Sequence, residues 1–286
     1  MAGFYWLASY PKSGNTWFRA FLSNVRDTRP GPQAINQMVT GNIASHREWL
    51  DDVLGFDTAD LTADELDKFR PAVYRWTAAG GATGCYKIHD ARVIDGLDDP
   101  TYLAGTLYIV RNPLDVAPSY AHQLNCSLDD AIRHMGDPDR AFCASPNGIS
   151  QQVRQTLQSW SGHVASWIDA PNAPLHLLRY EDMQQAPLPT FTAAARFLGL
   201  PYDTATIERA LAFSSFAELS AQEAHGGFRE NLVTGRRFFR RGESGGWRDT
   251  LSVEQVRRIV ADHQPMMARL GYLQDALTWL STQASR

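Results

Sequence analysis

The hydrophobic positions change period along the chain, and each change marks an element. Phe4-Tyr5-Trp6-Leu7-Ala8 is an unbroken apolar run of the kind carried by a strand buried on both faces. Pro11, Gly14 and Asn15 then punctuate the chain, and from Thr16 onward Trp17, Phe18, Phe21, Leu22 and Val25 recur at helical spacing. The pattern predicts a strand, a tight loop and a helix. Such a loop leaves unpaired backbone N–H groups at the helix start, where an anion can sit.

The same grammar returns downstream. Strands are predicted at 84–89 and 106–111, and Asn112-Pro113 reads as an N-cap followed by proline at the first helical position. That helix continues through Val116, Ser119, Tyr120 and Gln123. Residues 175–179 form another short apolar run, and an alanine-rich helix over 189–198 stops near Gly199. Val256, Ile259 and Val260 mark a late helix, followed by Met266, Met267, Leu270 and Leu273. The alternation predicts an α/β fold, with a mostly parallel central sheet flanked by helices on both faces. The chain is expected to form one domain over 1–286. Two stretches are weaker: 27–83, with Asp64 and Glu65 in a plausible first helical turn, and 226–246, rich in glycine and arginine. Both are candidates for a lid or an acceptor-binding segment.

Composition narrows the function classes. The 286 residues are 44% hydrophobic and 20% charged, enough for a sizeable core. Lysine plus arginine total 27 against 31 acids, a net charge of -4, so no chain-wide positive field argues for nucleic acid. The three cysteines, Cys85, Cys126 and Cys143, fit neither a disulfide framework nor a zinc spacing. His46, His89, His122, His134, His163, His176, His225 and His263 show no ligand spacing either, and no metal is expected. Lys12, Arg19, Arg26 and Arg29 interrupt the early apolar residues, so no signal peptide or membrane span is read and a cytoplasmic location is expected.

The strongest chemical signal is Tyr10-Pro11-Lys12-Ser13-Gly14-Asn15-Thr16-Trp17. Glycine permits close backbone approach, lysine brings a positive charge, and the hydroxyls complete an oxyanion cradle. The loop lacks the GxxxxGK[ST] spacing of an ATPase phosphate loop. Taken alone, it reads equally well as a phosphate site or a structural turn. Other features have plain readings as well. Trp17 can be a core residue, Arg111 can pair with Asp115, and Arg236, Arg237, Arg240 and Arg241 can form a solvated face or contact RNA.

The loop resembles the 5'-phosphosulfate loop of the cytosolic-type sulfotransferases that use PAPS, 3'-phosphoadenosine-5'-phosphosulfate. Two further segments resemble the same family in the same order: Arg111-Asn112-Pro113-Leu114-Asp115 with Ser119, and Phe238-Phe239-Arg240-Arg241-Gly242-Glu243-Ser244-Gly245-Gly246-Trp247. The resemblance implies that Lys12, Ser13, Gly14, Asn15 and Thr16 surround the phosphosulfate, with Lys12 steadying the bridging oxygen. It implies that Trp17 packs on adenine and that Arg111 and Ser119 recognise the 3'-phosphate. Arg240, Arg241 and Gly242 would form a second phosphate clamp, and Ser214 and Phe216 would contact adenine. The chain departs from the family with Asn15 and Ser214 where threonine is usual, and Arg241 where lysine is common.

Tyr86-Lys87-Ile88-His89 resembles the family's catalytic stretch. This implies His89 as general base and Lys87 as a charge-stabilising neighbour. Ser119 is implied to touch Lys12 before the acceptor binds, limiting donor hydrolysis. The expected reaction is direct in-line transfer of a sulfuryl group from PAPS to a hydroxyl or amine, releasing PAP. The expected acceptor is a small molecule, with sugars and peptides as alternatives; no nucleic-acid or membrane partner is expected, and oligomeric state is open. Phe18, Trp49, Phe56, Tyr74, Trp76, Phe142 and Trp160 could line the acceptor pocket or build the core. Glu181 and Asp182 read as a structural junction. The competing functions are a Mg²⁺-dependent nucleotide phosphoryl transferase and an inactive nucleotide- or RNA-binding protein.

Overall fold

The computed structural model describes residues 3–145, 148–169, 171–231, 233 and 235–284; Leu232 and Thr234 of the 226–246 stretch lie outside them. The strands are β1 Phe4–Ser9, β2 Gly41–Ile43, β3 Gly84–Ile88, β4 Leu103–Val110, β5 Ala141–Phe142, β6 Gln155–Thr156 and β7 Leu175–Arg179. The helices are α1 Asn15–Arg26, α2 Arg47–Leu54, α3 Ala63–Ala79, α4 Pro113–Leu124, α5 Leu128–Gly136, α6 Trp160–Ile168, α7 Tyr180–Gln185, α8 Pro187–Phe197, α9 Thr204–Phe213, α10 Phe216–Gly226, α11 Val253–Arg269 and α12 Leu273–Ala284. The main sheet has the order β2-β3-β1-β4-β7, and β5 and β6 form a small antiparallel pair. The β1–β3, β1–β4 and β2–β3 pairings are all parallel, as the expected α/β architecture requires.

The chain resolves into two compact units, 1–10 with 40–109 and 137–177, and 11–39 with 110–136 and 178–286. The first unit holds the sheet. Its strand β1 is buried at nearly every position, which explains why its sequence is continuously apolar rather than alternating. Aromatic rings fill its core: Trp6 meets Tyr74 edge-on at 4.9 Å, and Trp49 stacks on Tyr86 at 5.1 Å. Trp6 also donates its indole N–H to the Leu97 carbonyl at 2.8 Å, so its polar atom is satisfied in the interior.

The stretch 27–83, poor in readable signals, contributes the edge strand β2 and the helices α2 and α3. Thr62 and Glu65 form a reciprocal capping box at the start of α3, placing Asp64 and Glu65 in the first turn as expected. Pro71 lies inside α3 and is buried, which masks the helix from a reading that treats proline as a stop.

The second unit is helical. Phe18, Phe21, Leu22 and Val25 of α1 are all buried, as their spacing predicts. Phe21 meets Phe191 of α8 at 4.4 Å. Asn112 caps α4 by accepting from the Leu114 N–H at 3.0 Å, and Pro113 occupies the first turn.

Candidate functional site

In the second unit the chain turns into α1 through two left-handed residues, Lys12 at φ 72° and Gly14 at φ 105°. Left-handed backbone is costly for a lysine and persists where the surroundings demand it. At Gly14 the demand is also steric, since a Cβ there would run into the Tyr180 ring. Gly14 is the N-cap of α1 and supplies no side-chain cap, and the first turn holds no acid, so the positive end of the helix dipole favours an anion. Ser13 is fully buried, and its Oγ has no hydrogen-bond partner among the described residues. The same is true of Nε1 of Trp17 and Nε of Arg111. Each such buried group costs about 1–3 kcal/mol when left unmet, so a ligand with several acceptor oxygens fits this cradle.

The other donor-site candidates gather around this loop. Arg111 donates to the Lys12 carbonyl at 3.3 Å and the Glu243 carbonyl at 2.9 Å, and its guanidinium lies 4.2 Å from the Tyr180 ring centroid. Burial holds the Arg240 guanidinium below its usual pKa, and the neighbouring charges of Arg241 and Arg111 push it the same way. These arginines repel one another, an arrangement that a dianion relieves. The Lys12 ammonium lies 3.9 Å from the centroid of the Phe238 ring. Gly242, at φ 64°, packs so tightly on Phe216 that a Cβ would collide with the ring.

Several residues that sequence reasoning missed hold the arginine segment in place. Glu223 accepts the Phe238 and Phe239 N–H groups at 2.6 and 2.9 Å. Asp115 accepts those of Gly245 and Trp247 at 2.8 and 3.2 Å, so it holds the loop backbone. Burial raises the Asp115 pKa, against the opposing pull of those N–H bonds and of Arg111. His122 donates from Nε2 to the Arg237 carbonyl at 2.9 Å, and Gln184 bonds both the Gly242 carbonyl and Ser244. Only Asp115 lay within a family-like motif; the others carry no sequence signal, because a single carboxylate, amide or imidazole turned toward loop backbone has no fixed spacing.

The remaining candidates vary in setting. Thr16 and Ser119 are partly exposed. Asn15 is buried at the first position of α1. Trp17 sits edge-on to Tyr180 at 5.7 Å and to Phe191 at 5.5 Å. Ser214 is fully buried and donates its hydroxyl to the Ala210 carbonyl at 2.7 Å, closing the end of its own helix. Glu181 accepts from the Asn112 N–H at 2.9 Å and the Tyr272 hydroxyl at 2.8 Å, a structural junction.

In the first unit, β3 pairs with β1 so that Lys87 faces Leu7 and Ile88 faces Ala8. Lys87 is partly exposed, and its carbonyl accepts from Ala44 at 2.8 Å. His89 follows the strand, with Nδ1 2.8 Å from the Ser9 carbonyl oxygen. A carbonyl only accepts, so Nδ1 carries the hydrogen, and in the neutral ring Nε2 is the basic nitrogen. The next residue, Asp90, is fully buried and takes a two-pronged bond from the buried Arg70 at 2.9 and 2.8 Å, anchoring the segment. Of the aromatic candidates, Phe18, Trp49, Tyr74 and Trp160 are core, whereas Trp76 is 63% and Phe56 46% exposed.

The family model described as "Sulfotransferase domain" matches residues 103–271, which contain the Arg111, Ser119 and Arg240–Arg241 segments. The chain belongs to the cytosolic, PAPS-dependent sulfotransferase family. Its similarity to flavonol 3-sulfotransferase of Flaveria bidentis is 24% identity over 88% of this chain and 78% of that one. Cytosolic sulfotransferase 5 of Arabidopsis thaliana is 25% identical over 88% of this chain and 76% of its own. Among solved structures, mouse sulfotransferase SULT7A1 complexed with PAP shares the fold with TM-score 0.61 at 18% identity, covering 93% of this chain and 84% of that one. Retinol dehydratase in complex with retinol and PAP gives TM-score 0.60 at 16% identity, covering 92% and 81%. The phosphosulfate-like loop and His89 precede the matched span, so their roles rest on motif and geometry. Among the described residues, no group of three or more His, Cys, Asp or Glu is placed to hold a metal, and no helix is long and apolar enough to cross a membrane.

Proposed function

We propose that this sulfotransferase moves a sulfuryl group from PAPS to a hydroxyl of a small molecule and releases PAP, with the whole chain acting as one catalytic domain. The observation that carries the donor assignment is the buried, unmet Ser13 Oγ at the uncapped start of α1, in one unit with the mutually repelling Arg111, Arg240 and Arg241. Donors at a helix start joined by a cluster of arginines are what a nucleotide phosphorylated at both 5' and 3' positions requires, and PAP in the solved relatives supports the same choice. A donor carrying only a 5' chain would leave the arginine cluster without its anion.

In this reading Lys12, Ser13, Gly14, Asn15 and Thr16 bind the 5'-phosphosulfate, and Arg111, Ser119, Arg240, Arg241 and Gly242 bind the 3'-phosphate. Trp17, Ser214 and Phe216 contact adenine. The acceptor oxygen attacks sulfur while the bond from sulfur to the bridging phosphate oxygen breaks. The acceptor proton passes to Nε2 of His89, and Lys12 and Lys87 stabilise the charge developing on oxygen. Ser119 holds Lys12 away from the bridging oxygen until an acceptor arrives. The names of the relatives, a flavonol sulfotransferase and cytosolic sulfotransferases, support a phenolic or alcoholic acceptor and a cytosolic location.

Calorimetric titration of nucleotide-stripped protein with PAP, ADP and ATP tests the reading. PAP is expected to bind at least ~10-fold more tightly than ADP, the worth of one charge-assisted hydrogen bond to the 3'-phosphate. Equal affinity for PAP and ADP would remove the 3'-phosphate site, and turnover of ATP with Mg²⁺ would favour phosphoryl transfer.

A further inference from the structure

We propose that His163 is a positioning residue for His89, held on a face of α6 that sets the backbone of the segment following β3. The proposal rests on the reading of His89 as the general base.

His163, Ser166 and Trp167 lie at i, i+3 and i+4 on α6, the spacing that puts side chains on one helix face. Each engages the backbone just beyond β3. His163 Nε2 lies 3.0 Å from the His89 carbonyl oxygen, Trp167 donates Nε1–H to the Asp90 carbonyl at 3.0 Å, and Ser166 Oγ accepts the Arg92 N–H at 2.9 Å. The Ala91 N–H donates to the Thr156 carbonyl at 2.7 Å. Four successive residues, 89–92, are therefore tied by backbone groups, three of them to one helix.

The chemistry at position 163 is directional. The His89 carbonyl can only accept, so His163 carries its hydrogen on Nε2, and Nδ1 must accept from the Tyr108 hydroxyl 2.8 Å away. Tyr108 in turn takes a backbone hydrogen bond from Tyr10. An imidazolium could not accept from Tyr108, and full burial keeps His163 neutral by holding its pKa down to about 4. The result is a one-way relay from Tyr10 through Tyr108 and His163 to the His89 carbonyl, while the His89 ring donates to the Ser9 carbonyl. Both ends of the relay close on Ser9 and Tyr10, the residues that lead into the phosphosulfate loop. His89 is thus held by its ring and by its carbonyl, which fixes where Nε2 is presented. A histidine needed only for packing would not require a donor on one side and an acceptor on the other.

The first test is long-range ¹H–¹⁵N NMR of histidine-labelled full-length protein, which reads the tautomer of each ring without any acceptor. His89 in the parent chain is expected as a single Nδ1–H tautomer. His163→Leu is expected to release it into tautomer averaging, and His163→Gln, whose amide donates and accepts on opposite sides, is expected to restore it. An unchanged His89 tautomer in His163→Leu overturns the proposal. The second test measures turnover of 4-nitrophenol with PAPS, beside PAP titration. His163→Leu is expected to lower kcat by about 10–100-fold, the scale of a small misplacement of a catalytic group, with PAP affinity unchanged within about twofold. His163→Gln is expected to recover most of kcat, and Tyr108→Phe to fall between the two. Parallel loss of PAP binding and kcat in both His163 variants would mark a merely structural role and overturn the proposal. If His89→Asn turns over like the parent, the base reading fails while the tautomer result still decides the positioning claim.

Discussion

Around the phosphosulfate-like loop, Ser13 Oγ, Trp17 Nε1 and Arg111 Nε are buried without a partner among the described residues, and three arginines press on one another. Around His89, the groups that hold its segment close on each other: Arg70 with Asp90 and Tyr74, and His163 with Tyr108 and the His89 carbonyl. The contrast separates two tasks. A site for a polyanion keeps unmet donors and like-charge repulsion until its ligand supplies acceptors, at a cost in the unliganded state. A general base must stand in position before any ligand arrives, so its supports are satisfied within the protein. Binding and proton transfer are therefore expected to fail independently.

The largest effect that would sharpen this separation is on turnover. His89→Asn keeps an N–H donor in place of Nδ1–H and removes the basic nitrogen; kcat is expected to drop by roughly 10²–10⁴, the usual range for a lost general base, with PAP affinity unchanged. Parallel rate and PAP-binding measurements on one preparation check it. A loss of PAP affinity matching the loss of rate would break the comparison.

A second effect concerns acid stability, and each unit carries a histidine held well below its ordinary pKa by burial. Burial holds His163 in one unit and His263 in the other to pKa values of about 4, below the ordinary 6.5. Between those limits the unfolded chain binds more protons than the folded one, so folding stability rises with pH across the window and is lost as pH falls from 6.5 toward 4. The expected loss is on the order of a few kcal/mol in total, read by urea denaturation at stepped pH. His263→Leu is expected to flatten part of that slope while leaving the His163 part intact.

The two regions also differ in how far the sequence revealed them. The sheet strands and α1 were readable because continuous burial and 3.6-residue periodicity are local patterns. The arginines and the glycine loop stood out through their resemblance to a family pattern, since by residue type alone the loop reads equally as a structural turn and the arginines as a solvated face. The edge strand β2 was not: Gly41–Ile43 is short and partly exposed, so nothing in its composition distinguishes it from loop. The supports were hidden for a different reason. Glu223 reaches Phe238 over 15 positions, Asp115 reaches Gly245 over 130, and His163 reaches His89 over 74. Such contacts depend on tertiary approach, and the residue types involved are ordinary at their own positions. At Ser214, which resembles an adenine-contact position, the hydroxyl donates back to the Ala210 carbonyl of the preceding helix, a bond serine commonly makes and sequence cannot distinguish.

Smaller effects test the donor side. Arg241→Ala is expected to weaken PAP by about 10-fold while leaving ADP nearly unaffected, the signature of a lost charge-assisted bond to the 3'-phosphate. Calorimetry with both nucleotides checks it, and equal weakening of both would move Arg241 away from that phosphate.

The smallest predicted effect discriminates best between a charge that binds and a charge that holds. Asp115 touches two backbone N–H groups of the arginine segment, at Gly245 and Trp247, and has the wrong sign to bind phosphate. Asp115→Asn keeps one acceptor oxygen and removes a negative charge near Arg111, so electrostatics alone would strengthen anion binding. Loss of one loop anchor acts in the opposite direction, since the amide nitrogen cannot accept from the second N–H. The anchor is expected to win, because a buried N–H left unmet costs about 1–3 kcal/mol. PAP should therefore bind about 3-fold more weakly in Asp115→Asn, with an unchanged His89-dependent rate at saturating PAPS. Tighter PAP binding in this variant would mean that the loop holds its shape without Asp115, and that the unmet donors of the cradle alone define the donor site.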